Sequence, residues 1–166
     1  MQPSDLRRLA QSLTRRQFME KYPHRFLVLH VRTDSDSASN AFATQMVPVS
    51  QPGPAHELTV LPISKNADNP FQSHVSIGRA RNCDLVIRHR AVSKLHARFR
   101  IDQAELALSD AGSQNGTFVN GKRLLPNESV PVKSSDQLVF GTVAARTLDA
   151  EAVYELLRQS GGSQAG

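Results

Sequence analysis

Short apolar or alternating runs follow one another from position 56 to position 147, and turn residues separate them. The runs are HELTVLPI (56–63), HVSIG (74–78), DLVI (84–87), HARFRI (96–101), AELALS (104–109), TFVN (117–120), SVPV (129–132), QLVFG (137–141) and VAART (143–147). Many short strands joined by tight turns are typical of a sandwich or barrel rather than of alternating βαβ units. The pattern therefore predicts a mainly β fold.

Both ends of the chain carry helix signals. Thr14 and Gln17 have the spacing of a capping box, which predicts a helix over 15–21 that ends before a Tyr-Pro step. The turn before it is either a second helix or a frayed tail, and the run at 26–31 predicts a strand. Near the other end, Asp149 is the expected N-cap of a helix with an apolar stripe. The Arg-rich start also has features of a mitochondrial presequence, but the strand that follows directly favours an integral segment.

These signals divide the chain into four expected segments. They are an N-terminal helical segment (1–25), a β-sandwich (26–147) with a mobile Ser-rich loop (32–44), a C-terminal helix (148–160) and a flexible tail (161–166).

Several classes of protein are excluded by composition. The single cysteine, Cys83, cannot form an internal disulfide and has no second cysteine for a zinc site, so it is expected to be a small buried residue. We find no run of 18 apolar residues and no secretory signal. We therefore expect a cytoplasmic protein with no membrane span, no metal and no cofactor.

The net charge of +5 is concentrated in two places. Residues 1–25 hold six Lys and Arg against two acidic residues, and residues 78–100 hold seven against Asp84 alone. The rest of the chain is acidic, which favours a local anion site over general affinity for nucleic acid. A solvated basic face is the alternative interpretation of the second block.

Four short motifs fall in the predicted loops of this region. They are Gly78-Arg79, Ser93-Lys94-Leu95-His96, Asn115-Gly116-Thr117 and Asn120-Gly121. In this order and spacing, residues 56–147 resemble the forkhead-associated (FHA) domain, and the whole most resembles small bacterial proteins of that family. The resemblance implies an FHA-type antiparallel β-sandwich that binds phosphothreonine peptides.

The residue types at these motifs suit a phosphate group, which carries about −1.5 to −2 charge and three acceptor oxygens. A guanidinium, a hydroxyl and an ammonium from separate loops can hold it, and Arg79, Ser93 and Lys94 supply these groups. The resemblance implies that Arg79 and Ser93 bond the phosphate directly, that Lys94 lies beside them, and that Asn115 bonds the peptide backbone.

The other motif residues are expected to support the site. They are Gly78, His96, Gly116, Thr117, Asn120 and Gly121. A nucleophilic Ser93–His96 pair is rejected because no orienting acid is suggested. The resemblance implies instead that His96 braces the loops, and Asn120-Gly121 predicts a tight hairpin turn.

Two departures from the family pattern matter. Gln114 stands where several members carry a hydroxyl or basic residue that contacts the ligand, so an amide must serve and affinity could be lower. The stretch Arg88-His89-Arg90 is basic where the family often has acidic residues. It predicts a preference for acidic residues around the phosphothreonine.

The leading hypothesis is thus a binding module, not an enzyme, that recruits a threonine-phosphorylated protein, such as a Ser/Thr kinase or its substrate. One alternative is a phosphate-independent scaffold of the same fold in complex assembly or secretion, which the intact motif residues disfavour. Nucleic-acid binding is disfavoured because Phe99 is the one aromatic residue in the basic block. Phosphorylation of Thr33 or Thr44 is a further hypothesis, against which an unmodified linker is favoured.

Overall fold

The computed structural model describes residues 3–23, 25–32, 56–69, 73–103 and 105–159. The hypotheses on the Ser-rich loop from residue 33 onward, on Thr33 and Thr44, and on the tail at 161–166 lie outside these residues.

Eleven strands and three helices make up the described part of the chain. The strands are β1 (Phe26–Arg32), β2 (His56–Pro62), β3 (Val75–Gly78), β4 (Leu85–Val86), β5 (Ala97–Asp102), β6 (Glu105–Asp110), β7 (Thr117–Val119), β8 (Lys122–Arg123), β9 (Ser129–Val132), β10 (Gln137–Phe140) and β11 (Val143–Leu148). The helices are α1 (Pro3–Ser12), α2 (Arg15–Lys21) and α3 (Ala150–Gln159). This mainly β architecture with short terminal helices confirms the predicted fold class.

The strands form a six-stranded sheet in the order β2-β1-β11-β10-β7-β8 and a five-stranded sheet in the order β4-β3-β5-β6-β9. All described pairings are antiparallel except β3 with β4, which run parallel with Ile77 opposite Leu85. The predicted antiparallel sandwich is therefore confirmed, with one parallel pairing at this edge. The loop at 79–84 carries the chain back along β3, and the Asp84 carboxylate fixes that return by accepting the Ser76 N–H at 2.7 Å.

The main core lies between the two sheets. Alternation on β5 shows how it is built, because Ala97 and Phe99 are fully buried while Arg98 and Arg100 point to the opposite face. Leu138 and other apolar side chains of the six-stranded sheet close the core from the other side.

A second apolar cluster lies outside the sandwich, where the three helices cover the outer face of the six-stranded sheet. Strand β1 is buried on both faces, with Leu27 and Leu29 in the main core and Phe26 and Val28 in the helical cluster. This two-sided burial explains why β1 is a continuous apolar run rather than an alternating one. Phe18 of α2 packs against the Phe26 ring at a centroid distance of 6.2 Å.

The N-terminal helices present their basic residues to solvent. Thr14 caps α2 with the predicted box, since its hydroxyl accepts the Gln17 N–H and the Gln17 side chain accepts the Thr14 N–H. Arg15 forms an ion pair with Glu151 of α3, and α1 is a helix rather than a frayed tail. The described basic residues of the two helices, Arg8, Arg15, Arg16 and Lys21, are thus exposed, while the apolar side of the helices is buried. None of the helices described here is long and apolar enough to cross a bilayer.

Candidate functional site

The predicted motif residues meet at one end of the sandwich. Strand pairing places the end of β3, the start of β5 and the end of β6 together, because Ile77 lies opposite Ala97 and Ala97 lies opposite Asp110. The turn between β10 and β11 joins them, since the Gly141 N–H donates to the Gly116 carbonyl at 2.9 Å. Four connections therefore form a continuous loop surface, which we call the loop end: residues 79–84, 87–96, 111–116 and 141–142.

Backbone hydrogen bonds hold Arg79 against the Ser93 loop. The Arg79 N–H donates to the Ser93 carbonyl at 2.9 Å, and its Nε donates to the Val92 carbonyl at 3.2 Å. Gly78 permits this approach, because a Cβ there would lie 2.1 Å from the Lys94 carbonyl oxygen. Arg79 and Lys94 are both exposed, so their cationic ends lie at the surface of the loop end.

The Ser93 and Asn115 loops are joined by two side-chain hydrogen bonds. The Ser93 Oγ accepts the Gln114 N–H at 3.0 Å. The Asn115 Nδ2 donates to the Ala91 carbonyl at 2.9 Å. The sequence-predicted residues of both loops therefore come together, and the contact of Gln114 with the site is through its backbone.

His96 bridges the same two loops from below. It is fully buried, its Nδ1 accepts the Ser93 N–H at 3.0 Å, and its Nε2 donates to the Gly116 carbonyl at 2.9 Å. Because a backbone N–H can only donate and a carbonyl can only accept, the imidazole is neutral with its proton on Nε2. Burial lowers the pKa of His96, against opposing effects of the Gly116 carbonyl and Asp110. His96 bonds the Ser93 backbone and not its hydroxyl.

Asp110 organises the Asn115 loop, and the sequence reasoning missed it. Its carboxylate accepts the N–H groups of Gly112 and Ser113 at 2.8 and 2.9 Å, and the hydroxyls of Ser113 and Thr117 at 2.5 and 2.6 Å. Burial works to raise the pKa of Asp110, but these hydrogen bonds outweigh it and lower the pKa. The Asp-x-x-Ser spacing before the Asn-Gly motif is the local signal that could have revealed this role.

Thr117 and Gly116 hold the start of β7 in place. Thr117 is fully buried with its hydroxyl on Asp110, and Gly116 has a φ of +89°. A Cβ on Gly116 would lie 2.8 Å from the Nε of Arg123, so that guanidinium packs on the Gly116 backbone.

The Asn120-Gly121 step forms the tight turn between β7 and β8, with φ of +49° and +82°. Positive φ at both central residues is the geometry of a two-residue hairpin turn. The Asn120 side chain also accepts the Gln137 N–H at 2.9 Å and donates to Asp136 at 3.1 Å. It thereby ties the hairpin to the neighbouring β10, on the flank of the site rather than in it.

Gly141 is a second residue that the sequence reasoning missed. Its φ is +66°, and a Cβ there would lie 2.3 Å from the Ala91 carbonyl oxygen. This carbonyl is the same one that accepts the Asn115 amide. Gly141 therefore allows the β10–β11 turn to pack under the Asn115 contact.

The basic block at 78–100 is split by the fold. Arg79, Arg81, Arg88, Arg90 and Lys94 lie on the loops and are all exposed. Arg98 and Arg100 lie on β5 and face away from the core, so they are separate from the loop cations of the block. Cys83 is buried as expected, with its Sγ 3.3 Å from the Lys94 carbonyl, and burial raises its pKa.

Comparison with known proteins agrees with this geometry. Residues 75–141 match the FHA domain family. The glycogen accumulation regulator GarA of Mycobacterium tuberculosis is 33% identical over 91 residues, which are 53% of this chain and 54% of that protein. An oxoglutarate dehydrogenase inhibitor of Corynebacterium efficiens is 34% identical over 70 residues, which are 42% of this chain and 47% of that protein. The chain thus spans about half the length of these relatives.

The solution structure of the FHA domain of an Arabidopsis thaliana protein superposes with a TM-score of 0.50 at 19% identity, covering 76% of this chain and 86% of that one. This likeness supports an FHA-type sandwich fold. Residues 75–141, less than half of the chain, are thus similar in sequence to FHA domains.

Proposed function

We propose that the loop end binds a phosphothreonine peptide, as FHA domains do, with Arg79, Ser93 and Lys94 around the phosphate. The observation that carries this proposal is the state of the Arg79 guanidinium. Its Nε is fixed on the Val92 carbonyl, and its two Nη groups have no partner among the described residues. A guanidinium oriented in this way presents a fork that matches two phosphate oxygens.

Ser93 supports the same assignment. Its Oγ already accepts the Gln114 N–H, so the hydroxyl hydrogen is left to donate. A phosphate oxygen is an acceptor of the required kind, and the exposed Lys94 adds charge beside it. Ser93 is therefore assigned a direct hydrogen bond to the phosphate.

Asn115 is assigned to the peptide backbone. One Nδ2 hydrogen is used on the Ala91 carbonyl, which orients the amide and leaves its Oδ1 and second N–H for a ligand. An amide offers both a donor and an acceptor, which is what an extended peptide backbone requires. Gln114 is exposed beside it and is assigned a supporting contact at the edge of the site.

Acidic residues on either side of the phosphothreonine are the expected preference. Arg88 and Arg90 are exposed on the loop that carries Ser93, and neither forms an ion pair with a described carboxylate. Exposed pairs contribute about 0.2–1 kcal/mol each, so they tune affinity while the phosphate sets it.

We therefore assign the protein as a cytoplasmic binding module, without catalysis or cofactor. It recruits a threonine-phosphorylated protein such as a Ser/Thr kinase or its substrate. Support comes from the FHA match and from a site made of hydrogen-bond donors rather than of a nucleophile with its base.

The test is a fluorescence-polarisation titration with three matched peptides that carry phosphothreonine, phosphoserine or threonine. We expect tightest binding to the phosphothreonine peptide. Arg79→Ala should weaken it by about 10- to 150-fold, the value of one charge-assisted hydrogen bond. Arg8→Ala, on the exposed side of α1, is the matched control and should bind like the wild type.

Thermal unfolding separates binding from folding, because Arg79 is exposed and its replacement removes only the one Nε hydrogen bond to the Val92 carbonyl, so the midpoint should fall only slightly. Equal affinity for all three peptides, or full affinity in a folded Arg79→Ala protein, would overturn the proposal. Partner binding that survives phosphatase treatment would instead support the phosphate-independent scaffold.

A further inference from the structure

The outer face of the five-stranded sheet is open on three neighbouring strands. The register places two rows of outward side chains across it. They are Arg98–Ser109–Ser129 and Arg100–Ala107–Pro131, each read from β5 through β6 to β9. The three helices pack on the other sheet, and the side chains of both rows are exposed or half-buried. The face is a shallow shelf of small side chains bordered on β5 by two arginines.

Neither arginine has an ion-pair partner among the described residues. The Arg98 Nε is shielded from solvent without a hydrogen-bond acceptor in the described structure. The nearest carboxylate in the register, Asp84, lies beside Ser76 opposite Arg98, but its oxygens are occupied by Lys65, Asn66, Asn69 and Ser76. A partly desolvated guanidinium without a counter-charge favours an incoming carboxylate.

The shelf has a defined extent. At its far end Asp102 and Glu105 lie opposite each other and are exposed, so an acidic ligand is repelled there. At its near end β5 begins directly after His96, at the loop end. The favourable part is therefore the two rows nearest to the loop end, which are about 7 Å apart along the strand.

We propose that this shelf, centred on Arg98 and Arg100, is a second contact surface that binds an acidic segment of the same phosphorylated partner. The proposal rests on the function proposed for the loop end. Charge complementarity and the small side chains of the floor determine the occupant, because an extended segment can lie flat on Ser109 and Ala107 with its carboxylates on the arginines. A ligand would thus be held at its phosphate and again on this shelf.

The test compares a short phosphothreonine peptide with the same peptide lengthened by a Glu-rich tract, on its N-terminal or its C-terminal side. A third version carries Gln in place of every Glu of the tract. We expect one Glu-rich version to bind about three- to tenfold more tightly than the short peptide, and the Gln version to show no gain. Amide chemical shifts on β5 and β6 should then change with the Glu-rich version alone.

The decisive variant is Arg100→Glu, which is exposed and outside the loop end. It should lose the gain from the tract while it binds the short peptide like the wild type. Arg8→Glu makes the same change of charge on α1 and should keep the gain. A gain that persists in Arg100→Glu, or no gain from either tract, overturns the proposal, and so does an equal shift of the β5 amides by single-stranded DNA of matched charge. Failure of the short peptide itself would refute the loop-end function instead.

Discussion

Replacement of Asp110 by Asn tests whether one carboxylate organises the loop end. Asp110 accepts four hydrogen bonds, two from backbone N–H groups and two from hydroxyls, at 2.5–2.9 Å. The amide can keep its oxygen on the backbone donors Gly112 and Ser113. Its NH₂ group then faces the hydroxyls of Ser113 and Thr117, which must turn to accept.

The size of the effect follows from these four bonds. A hydrogen bond to a charged group contributes about 1.5–3 kcal/mol and a neutral one about 0.5–1.5, so each bond loses about 1 kcal/mol. The two hydroxyls can rotate and keep a hydrogen bond to the amide, and Asp110 is only partly buried. We therefore expect a smaller total, about 2 kcal/mol of unfolding free energy. For a protein of this size that lowers the thermal midpoint by about 4–8 °C.

Unfolding of the two proteins should be followed by circular dichroism in urea between pH 7 and pH 3. The pKa of Asp110 is lowered from its ordinary 3.8, so its contribution is present above that value and is lost as pH falls through the folded-state pKa. The difference in unfolding free energy between the wild type and Asp110→Asn should therefore become smaller in acid. Asp102→Asn, exposed at the end of β5, is the control. A difference in unfolding free energy below 0.5 kcal/mol at pH 7, or one that does not change with pH, would refute this role of the Asp110 carboxylate.

Three further outcomes are expected. Gly78→Ala places a Cβ 2.1 Å from the Lys94 carbonyl and should cost several kcal/mol, since backbone must move, measurable as a lower thermal midpoint. Phe18→Ala should cost about 3–5 kcal/mol, with sheet and helix signals lost together, because this ring is fully buried under the helices. The pKa of His96 is lowered from 6.5, so stability should fall as pH drops below that value, measured by urea unfolding, because the protonated ring cannot accept the Ser93 N–H.

The sequence predicted the strands because their apolar periodicity is local, and each of the nine predicted runs overlaps an observed strand. It missed β8, since Lys122–Arg123 is two exposed charged residues that pair only because the Asn-Gly turn brings them back to β7. The parallel pairing of β4 was also missed. It depends on where Asp84 meets Ser76, and a contact between residues eight positions apart leaves no periodic signal.

The loop end shows the same contrast between features that follow from local sequence and contacts that form only in the folded chain. The motif positions could be predicted, because glycine, hydroxyl and cation at fixed spacing reflect local chemistry. The role of Gly141 could not be predicted, since it depends on a carbonyl contributed by a different loop. For Asp110 the local Asp-x-x-Ser spacing indicates the contacts with Gly112 and Ser113 but not the contact with Thr117, which forms only when the loop has folded. The loop residues and the strand residues of the basic block could be distinguished only from the structure, in which Arg98 and Arg100 on β5 face away from the core.

His96 explains how loops from separate connections can be ready for one ligand. Its neutral ring fixes Ser93 through the backbone N–H and Gly116 through the carbonyl, so the groups on either side of the proposed phosphate position are held at a fixed spacing without a ligand. Binding a peptide then requires little ordering of the protein, which is a major part of what association costs. The same arrangement leaves the hydroxyl hydrogen of Ser93 and the Arg79 Nη groups available to donate, because the Ser93 Oγ is used only as an acceptor of the Gln114 N–H and the Arg79 Nε makes the contact with the Val92 carbonyl. Rigidity and free donor capacity therefore coexist at the loop end, since different atoms of the same residues provide them.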